Sequence, residues 1–493
     1  MELDRIDRID NVDTLRGLAK SFVLELQKQE QRIARLEAQI KDLKPDDQLQ
    51  LQLEIDALKQ QLANRNKVIF GTSSEKRPLD KPKQPKQPQT GHGPTEQVEL
   101  EVIEKEHVLD EADMKCKSCG KSIQEWEGQS VDSEEIEVIE RRFIRVKHRR
   151  KKYRCPCGGC VEVAIGPRKL IPGGRYSQDF AVHVAVAKYA DHLPLERQVR
   201  MMRRQGLDVT SQALWDQILA LANILKSAHK RMLDYIRSRP VVGADETWWR
   251  VLNKKTKRWY VWALAAEDAV AYLIEDSRSI ESAKKLLDDF EGTAITDGYA
   301  CYSALQKRGG RFRLAHCWSH VRRKFVEIEA SYPEECGEIL DLIGKLYGVE
   351  RQARDGPNII EFRRKLRDEE SRKIIEEIHS WALQTKALGE SPLRKAVQYM
   401  GSLWKGLTVF LDHPNVAIDN NAIERALRGV VLGRKNHYGS KSRRGTEVAA
   451  ILYSMIESAK LVGINPEEYF KTAIDAHLDG KEIPLPHEVA ATA

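Results

Sequence analysis

No run in this chain reaches roughly 18 apolar residues, the length a membrane-spanning helix needs, and Met1-Glu2-Leu3-Asp4-Arg5 begins it without an apolar segment. The first absence argues against a membrane span and the second against a secretory leader, so a cytoplasmic location is expected. Cysteine is scarce: there are eight in 493 residues, and five fall between Cys116 and Cys160. Such clustering points to a metal site in a reducing compartment and not to a disulfide-stapled extracellular scaffold. Neither sign of charge dominates, with 81 Lys and Arg against 74 Asp and Glu, a net of +7. A polyanionic partner is favoured only mildly by that sum, and where the cations cluster matters more. What is present is 41% hydrophobic and 31% charged residues over a length that suits several domains, each with its own core.

Phe22, Leu26, Ile33, Leu36, Ile40 and Leu43 follow a three-four spacing, which Lys44-Pro45-Asp46-Asp47 breaks and Leu51, Ile55, Leu58, Leu62 and Ile69 resume. This is coiled-coil spacing, with Gln29 and Arg65 as polar seam positions that set register at a cost in stability. Residues 1–72 are therefore expected to form a dimerising rod or a helical hairpin on the body. Residues 73–106 hold a Lys-, Pro- and Gln-rich stretch with little to bury and read as a basic linker. In 107–168, Cys116-Lys117-Ser118-Cys119 is answered by Cys155-Pro156-Cys157-Gly158-Gly159-Cys160. Four thiolates out of Cys116, Cys119, Cys155, Cys157 and Cys160 suit a structural Zn²⁺, which a module this small needs for stability. Between the turns, Val138 to Arg154 reads as strand. It carries Arg141, Arg142, Arg145, Lys147, Arg149, Arg150, Lys151, Lys152 and Arg154 with no acid among them, a pattern that fits a phosphate backbone.

Within 174–238, Tyr176 to Tyr189, Pro194 to Gln205 and Thr210 to Arg237 read as three helices, with Gly206 at a helix end and Thr210 as a cap. They form either a helix-turn-helix, in which Gln212 and Gln217 meet DNA beside Trp215, or a plain packing unit. Val241-Val242-Gly243-Ala244 then leads as a strand into Asp245 and Glu246. Arg258 to Leu264 and Ala269 to Ile274 are strands, Ile280 to Phe290 a helix, and Thr293 to Thr296 a strand ending at Asp297. Ser303 to Lys307 and Phe312 to Cys317 complete a β-β-β-α-β-α-β order, which predicts a mixed sheet with helices against it. Two aspartates at neighbouring strand ends can share Mg²⁺, and the third acid such a site needs is sought in Glu424 of Asp419-Asn420-Asn421-Ala422-Ile423-Glu424, with Asn420 or Asn421 as helix cap. Glu246, next in the strand, should point away from Asp245. His316 and His320 straddle a strand-to-helix junction and serve either a DNA end or packing, and Cys317 reads as a small buried residue. Arg425, Arg428, Arg434, Lys435, His437, Lys441, Arg443 and Arg444 form a second basic cluster. Lys481 onward reads as a loose tail.

These pieces together resemble the DDE transposases of the insertion sequence 66 family. The matching stretches include Phe70-Gly71, Lys188-Tyr189-Ala190-Asp191-His192-Leu193-Pro194, Ala244-Asp245-Glu246-Thr247 and Thr296-Asp297-Gly298-Tyr299. Others are Cys317-Trp318-Ser319-His320-Val321-Arg322-Arg323, Asp419-Asn420-Asn421 through Glu424-Arg425-Ala426-Leu427, and Leu432-Gly433-Arg434-Lys435-Asn436. The resemblance implies a multidomain α/β protein whose ribonuclease-H-like core spans 239–462, with a helical insertion at about 326–411 and a C-terminal helix and tail over 463–493. Coiled coil, zinc-ribbon-like module and helical DNA-binding module would precede that core. Asp245, Asp297 and Glu424 would be the catalytic triad holding two Mg²⁺ or Mn²⁺ ions, with Glu246, His316, His320, Asp419, Asn420 and Asn421 around them. The implied partners are double-stranded DNA, as inverted-repeat ends and target, further copies of the chain, and companion proteins of the same mobile element, all at the bacterial nucleoid. Two local departures stand out: Trp248-Trp249 takes the place of a proline-containing continuation, and the second cysteine turn is compressed. The rival readings are a nuclease of the same fold without strand transfer, and a non-catalytic DNA-binding derivative.

Overall fold

The computed structural model describes residues 143–154, 161–252, 258–355, 359–387 and 389–492, with Lys28, residues 31–35 and Ser122 before them. The chain divides into two compact units, 76–144 and the remainder. Of the smaller unit only Ser122, Phe143 and Ile144 are described. Nearly all of the expected rod, the linker, Arg141, Arg142 and all five clustered cysteines lie outside the described residues.

Of the strand expected up to Arg154, residues 143–151 have none, and only β1 (Lys152–Arg154) pairs, antiparallel, with β2 (Val161–Val163). Adjacent like charges favour solvated backbone over a ladder, and pairing begins only where a second strand is available. The helical module holds α1 (Gln178–Tyr189), α2 (Leu195–Arg204), α3 (Ser211–Ile224) and α4 (Lys226–Arg237). Ser177 and Thr210 cap α1 and α3 by accepting from Phe180 N and Ala213 N, each at 3.2 Å. The single long helix expected from Thr210 divides at Leu225, whose ψ of −4° departs from the helical value although its carbonyl still accepts from His229 N at 2.8 Å.

The sheet follows in the expected order: β3 (Val241–Arg250), β4 (Arg258–Ala265), β5 (Val270–Glu275), α5 (Ile280–Leu287), β6 (Thr293–Thr296), α6 (Ala300–Lys307) and β7 (Arg313–His316). Its spatial order is β5-β4-β3-β6-β7, antiparallel from β3 through β5 and parallel from β3 through β7. From β7 the chain passes into α7 (Trp318–Ile328), α8 (Pro333–Asp355), α9 (Ile359–Leu366), a π-helical turn (Arg367–Ser371), α10 (Arg372–Gln384), α11 (Pro392–Leu407) and α12 (Val409–Asp412). Arg367 is buried at the π-turn, where Nε and Nη2 grip both oxygens of Glu350 at 2.7 and 2.9 Å. Its Nη1 donates to the carbonyls of Phe410 and His413, so a buried charge is fully partnered and fixes α9, α8 and α12 together.

The chain closes with α13 (Asn421–His437), α14 (Arg443–Leu461), α15 (Pro466–Leu478) and α16 (Pro486–Ala490). Helix α14 seals the outer edge of β5: Ser458 Oγ accepts from Val270 N and Ser454 Oγ from Tyr272 N, both at 2.9 Å. Four helical residues rise about 6 Å and two strand residues about 6.6 Å, so serines four apart meet amides two apart. The tail from Lys481 is not loose. Ile483 and Leu485 are buried, Arg231 donates to Ile483 O at 2.8 Å and Tyr469 OH to Pro484 O at 3.1 Å.

Candidate active site

Strand β3 outruns its parallel neighbour, since β6 pairs with Val241 to Gly243 only. Beyond that point one edge of β3 has no strand beside it, and α13 with its following loop takes over. Ala244 O accepts from Asn420 Nδ2 at 3.0 Å, Trp248 O from Arg434 Nη1, and Arg250 O from Ser440 N at 2.9 Å. These three carbonyls of one strand edge are thus met by the cap residue, a side chain and the following loop of α13 instead of a full strand. The approach is close: a Cβ on Gly243 would lie 2.6 Å from Asn420 Oδ1, which explains glycine there. Asn420, expected as a helix cap, makes no side-chain cap bond because its amide is spent on Ala244. Asp419 does the capping instead, its Oδ1 accepting from Asn421 N at 3.1 Å and its Oδ2 from Asn421 Nδ2 at 2.7 Å.

Asp245 sits at this transition, inside β3 and not at its end as expected, but two residues past the last pair with β6. Its Oδ1 accepts from Glu246 N at 2.7 Å. Asp297 directly follows β6, and its Oδ1 accepts from Tyr299 N at 2.8 Å across Gly298, whose φ of +88° favours glycine. Tyr399 of α11 donates to Asp297 O at 2.9 Å, which ties the helical segment to the site. One carboxylate oxygen each from Asp245, Glu246 and Asp297 lies within 4.8 Å of the others. Strand alternation therefore misplaced Glu246, whose long side chain brings its carboxylate into the same cluster. Both its oxygens are taken: Arg278 grips Oε1, with Nε at 2.9 Å, and Tyr302 OH donates to Oε2 at 2.8 Å. Asp245 and Asp297 each spend Oδ1 on a backbone amide.

Burial, then the carboxylates of Asp297, Glu246 and Glu424, push Asp245 up to about 8. Burial also raises Glu246, against the pull of Arg278. Negative charge is in excess at this point, and an all-oxygen donor set fits a hard divalent cation. Glu424, in the first turn of α13, stands in a neighbouring group. Its Oε1 is 3.5 Å from His320 Nδ1 and its Oε2 3.9 Å from Arg323 Nη2, both on α7. Cys317 Sγ shares that group and accepts from Asn420 N at 3.2 Å, a role beyond the small buried residue expected. The three acids are thus a close pair and a separate third, whose charge still bears on Asp245. His316 turns to packing: Nδ1 is 3.3 Å from Thr296 Oγ1, burial lowers its pKa, and its ring abuts Gly406 of α11.

The sequence pattern of the Transposase IS66 family matches residues 173–448. The chain belongs to this family. Similar proteins include the uncharacterized protein y4jD of Sinorhizobium fredii (strain NBRC 101917 / NGR234), 32% identical over 370 residues that cover 71% of this chain and 72% of the relative. Another is y4qI of the same organism, 29% identical over 418 residues, 80% of this chain and 75% of the relative.

Membership of the Transposase IS66 family implies a DNA substrate and use of a divalent metal, and no helix among the described residues is long and apolar enough to cross a membrane. The cations expected to meet DNA divide into two groups. Arg145, Lys147, Arg149, Arg150, Lys151 and Lys152 are exposed, as are Arg425, Arg428, Lys435, Lys441, Arg443 and Arg444. Arg434 is not: it is buried, bonded to Thr247 Oγ1 at 3.1 Å and stacked 3.8 Å over the Trp248 ring. His437 leaves the basic cluster too, since burial lowers its pKa to about 3 and its Nε2 meets Tyr453 OH at 3.2 Å. In α3, Gln217 is buried against the core and cannot read a base edge, while exposed Gln212 donates to Asp216 at 2.8 Å. Sequence reasoning missed Arg278, Tyr302, Tyr399 and Arg323. All four lie outside the acid-bearing strand ends and join the site only through tertiary placement.

Proposed function

We propose that this protein cuts DNA at the ends of its mobile element and joins those ends to target DNA. The observation that carries the reading is the convergence of the Asp245 and Asp297 carboxylates on one side of a β5-β4-β3-β6-β7 sheet in a chain of this family. That strand order supports a ribonuclease-H-like core, with α8 to α12 as the insertion in a catalytic domain over 239–462. Asp245 and Asp297 would hold divalent ions, and Glu424 would complete the set. When bound, such ions neutralise charge on the reacting phosphate and activate the attacking oxygen.

The chain's own residues do the positioning. Arg278 and Tyr302 hold both oxygens of Glu246, with Arg278 offsetting its charge beside the aspartates, and His320 and Arg323 position Glu424, which would complete the ligand set. Water attacks the phosphodiester at the element end and frees a 3′-hydroxyl, which then attacks a phosphodiester of the target. The exposed arginines and lysines around α13 and before β1 hold phosphates without doing chemistry. Residues 1–72 would join copies of the chain so that two ends are held together, and four of the five clustered cysteines would hold Zn²⁺.

Purified full-length protein with Mg²⁺ and DNA carrying the element's own ends is expected to yield both nicked and joined products. Asp245→Ala is expected to bind those ends normally and to lose both reactions. Joining by Asp245→Ala would sink the proposal, and cleavage without joining by the wild type would leave only a nuclease.

A further inference from the structure

The Trp248-Trp249 pair is only half explained by the fold. Trp249 is fully buried, its Nε1 bonded to Ser440 Oγ at 3.1 Å, whereas Trp248 is 42% exposed. The Arg434 guanidinium closes one side of the Trp248 indole at 3.8 Å, and Arg258 stands 6.0 Å from its centroid, within reach but not stacked. Arg250 and Arg258 lie directly opposite each other across β3 and β4, and both are exposed. Like charges in that register repel unless an anion lies between them. The loop after α13 adds Tyr438, 62% exposed with a left-handed φ of 61°, and is tied to this end of β3 through Ser440 and Leu252. Aromatic surface, a cationic rim and a strained exposed residue therefore meet at one place.

Its position gives it a ligand. Trp248 is two residues beyond Glu246 on the same face of β3, so its Cα lies about 7 Å along the strand from that of Glu246, whose carboxylate reaches into the acid cluster. One nucleotide step spans a similar distance. We propose that Trp248 is a stacking platform for a nucleobase lifted out of the DNA duplex beside the reacting phosphate, with Arg250 and Arg258 on the adjoining phosphate. Arg434 backs the indole and presents the other side to the base, and stacking of this kind accepts any base. The inference rests on the DNA reading above and adds the conformation in which the DNA is bound.

The test uses full-length protein in Ca²⁺ buffer and a 30-base-pair duplex carrying one unpaired 2-aminopurine, compared with the fully paired duplex. Wild type is expected to favour the unpaired probe by about tenfold and to quench its fluorescence through stacking. Trp248→Ala is expected to bind the paired duplex as the wild type does and to lose both the preference and the quenching. Trp248→Phe, which restores a ring, is expected to recover most of both. An undiminished preference and quench in Trp248→Ala overturns the platform. A wild type that binds both probes equally overturns it as well while leaving the DNA reading intact, and failure to bind either probe removes both.

Discussion

Asp245 holds a proton that, on the proposed reading, a bound cation would displace. Its carboxyl titrates near 8 in the folded chain and near 3.8 in the unfolded one. Between those values the folded state binds the extra proton, so the stability this one group contributes is fully present below about pH 4 and is lost as pH rises towards 8. In thermal unfolding without added Mg²⁺, Asp245→Asn is expected to lose this slope and to melt above the wild type at pH 8, while having no metal-dependent activity. If Asp245 is a Mg²⁺ ligand as proposed, the same proton is expected to make Mg²⁺ affinity climb with pH. Arg278 tempers the effect by neutralising Glu246, and Arg278→Ala is expected to move the acidic limb of a pH–rate profile to higher pH. An unchanged limb would show that Arg278 does not govern the charge of the cluster.

At the scale of elements, the acid-bearing strands were legible because β-branched runs ending in Asp are local signals, and the whole β-β-β-α-β-α-β order could be read from them. The cover on their edges was not. Ser454 and Ser458 sit in α14 as ordinary helix residues, and nothing in the local pattern announces that they meet the amides of β5. Arg434 and Gln217 failed as expected DNA contacts for the same reason, since residue type says polar while the fold says buried. Glu246 failed because alternation fixes where a Cβ points, not where a long side chain ends. Replacing Ser458 with Ala is expected to cost about 1–3 kcal/mol by orphaning the Val270 amide, measured by denaturant unfolding. Gly243→Ala forces Asn420 away and is expected to cost about 1–3 kcal/mol together with most of the activity. Retained activity in Gly243→Ala would show that the seam between β3 and α13 tolerates widening.

For the whole molecule, the C-terminal segment belongs to the folded body. Truncation after Lys481 removes buried Ile483 and Leu485, each worth about 1.5–3 kcal/mol, and is expected to lower the melting temperature by several degrees. The seam at β3 has a further consequence in time. Ala244 meets Asn420 across 176 residues of chain. At a synthesis rate of about 5–20 residues per second, the bare edge of β3 waits roughly ten to thirty-five seconds on the ribosome before α13 can emerge to cover it. During that interval the strand is a template for wrong pairing. It also lacks Glu424, which arrives on the same helix that closes the edge. A nascent chain therefore gains Glu424 and its finished fold in one event, and a prematurely terminated chain is left as an aggregation hazard that, on the proposed reading, would also lack a complete set of acids for cutting DNA.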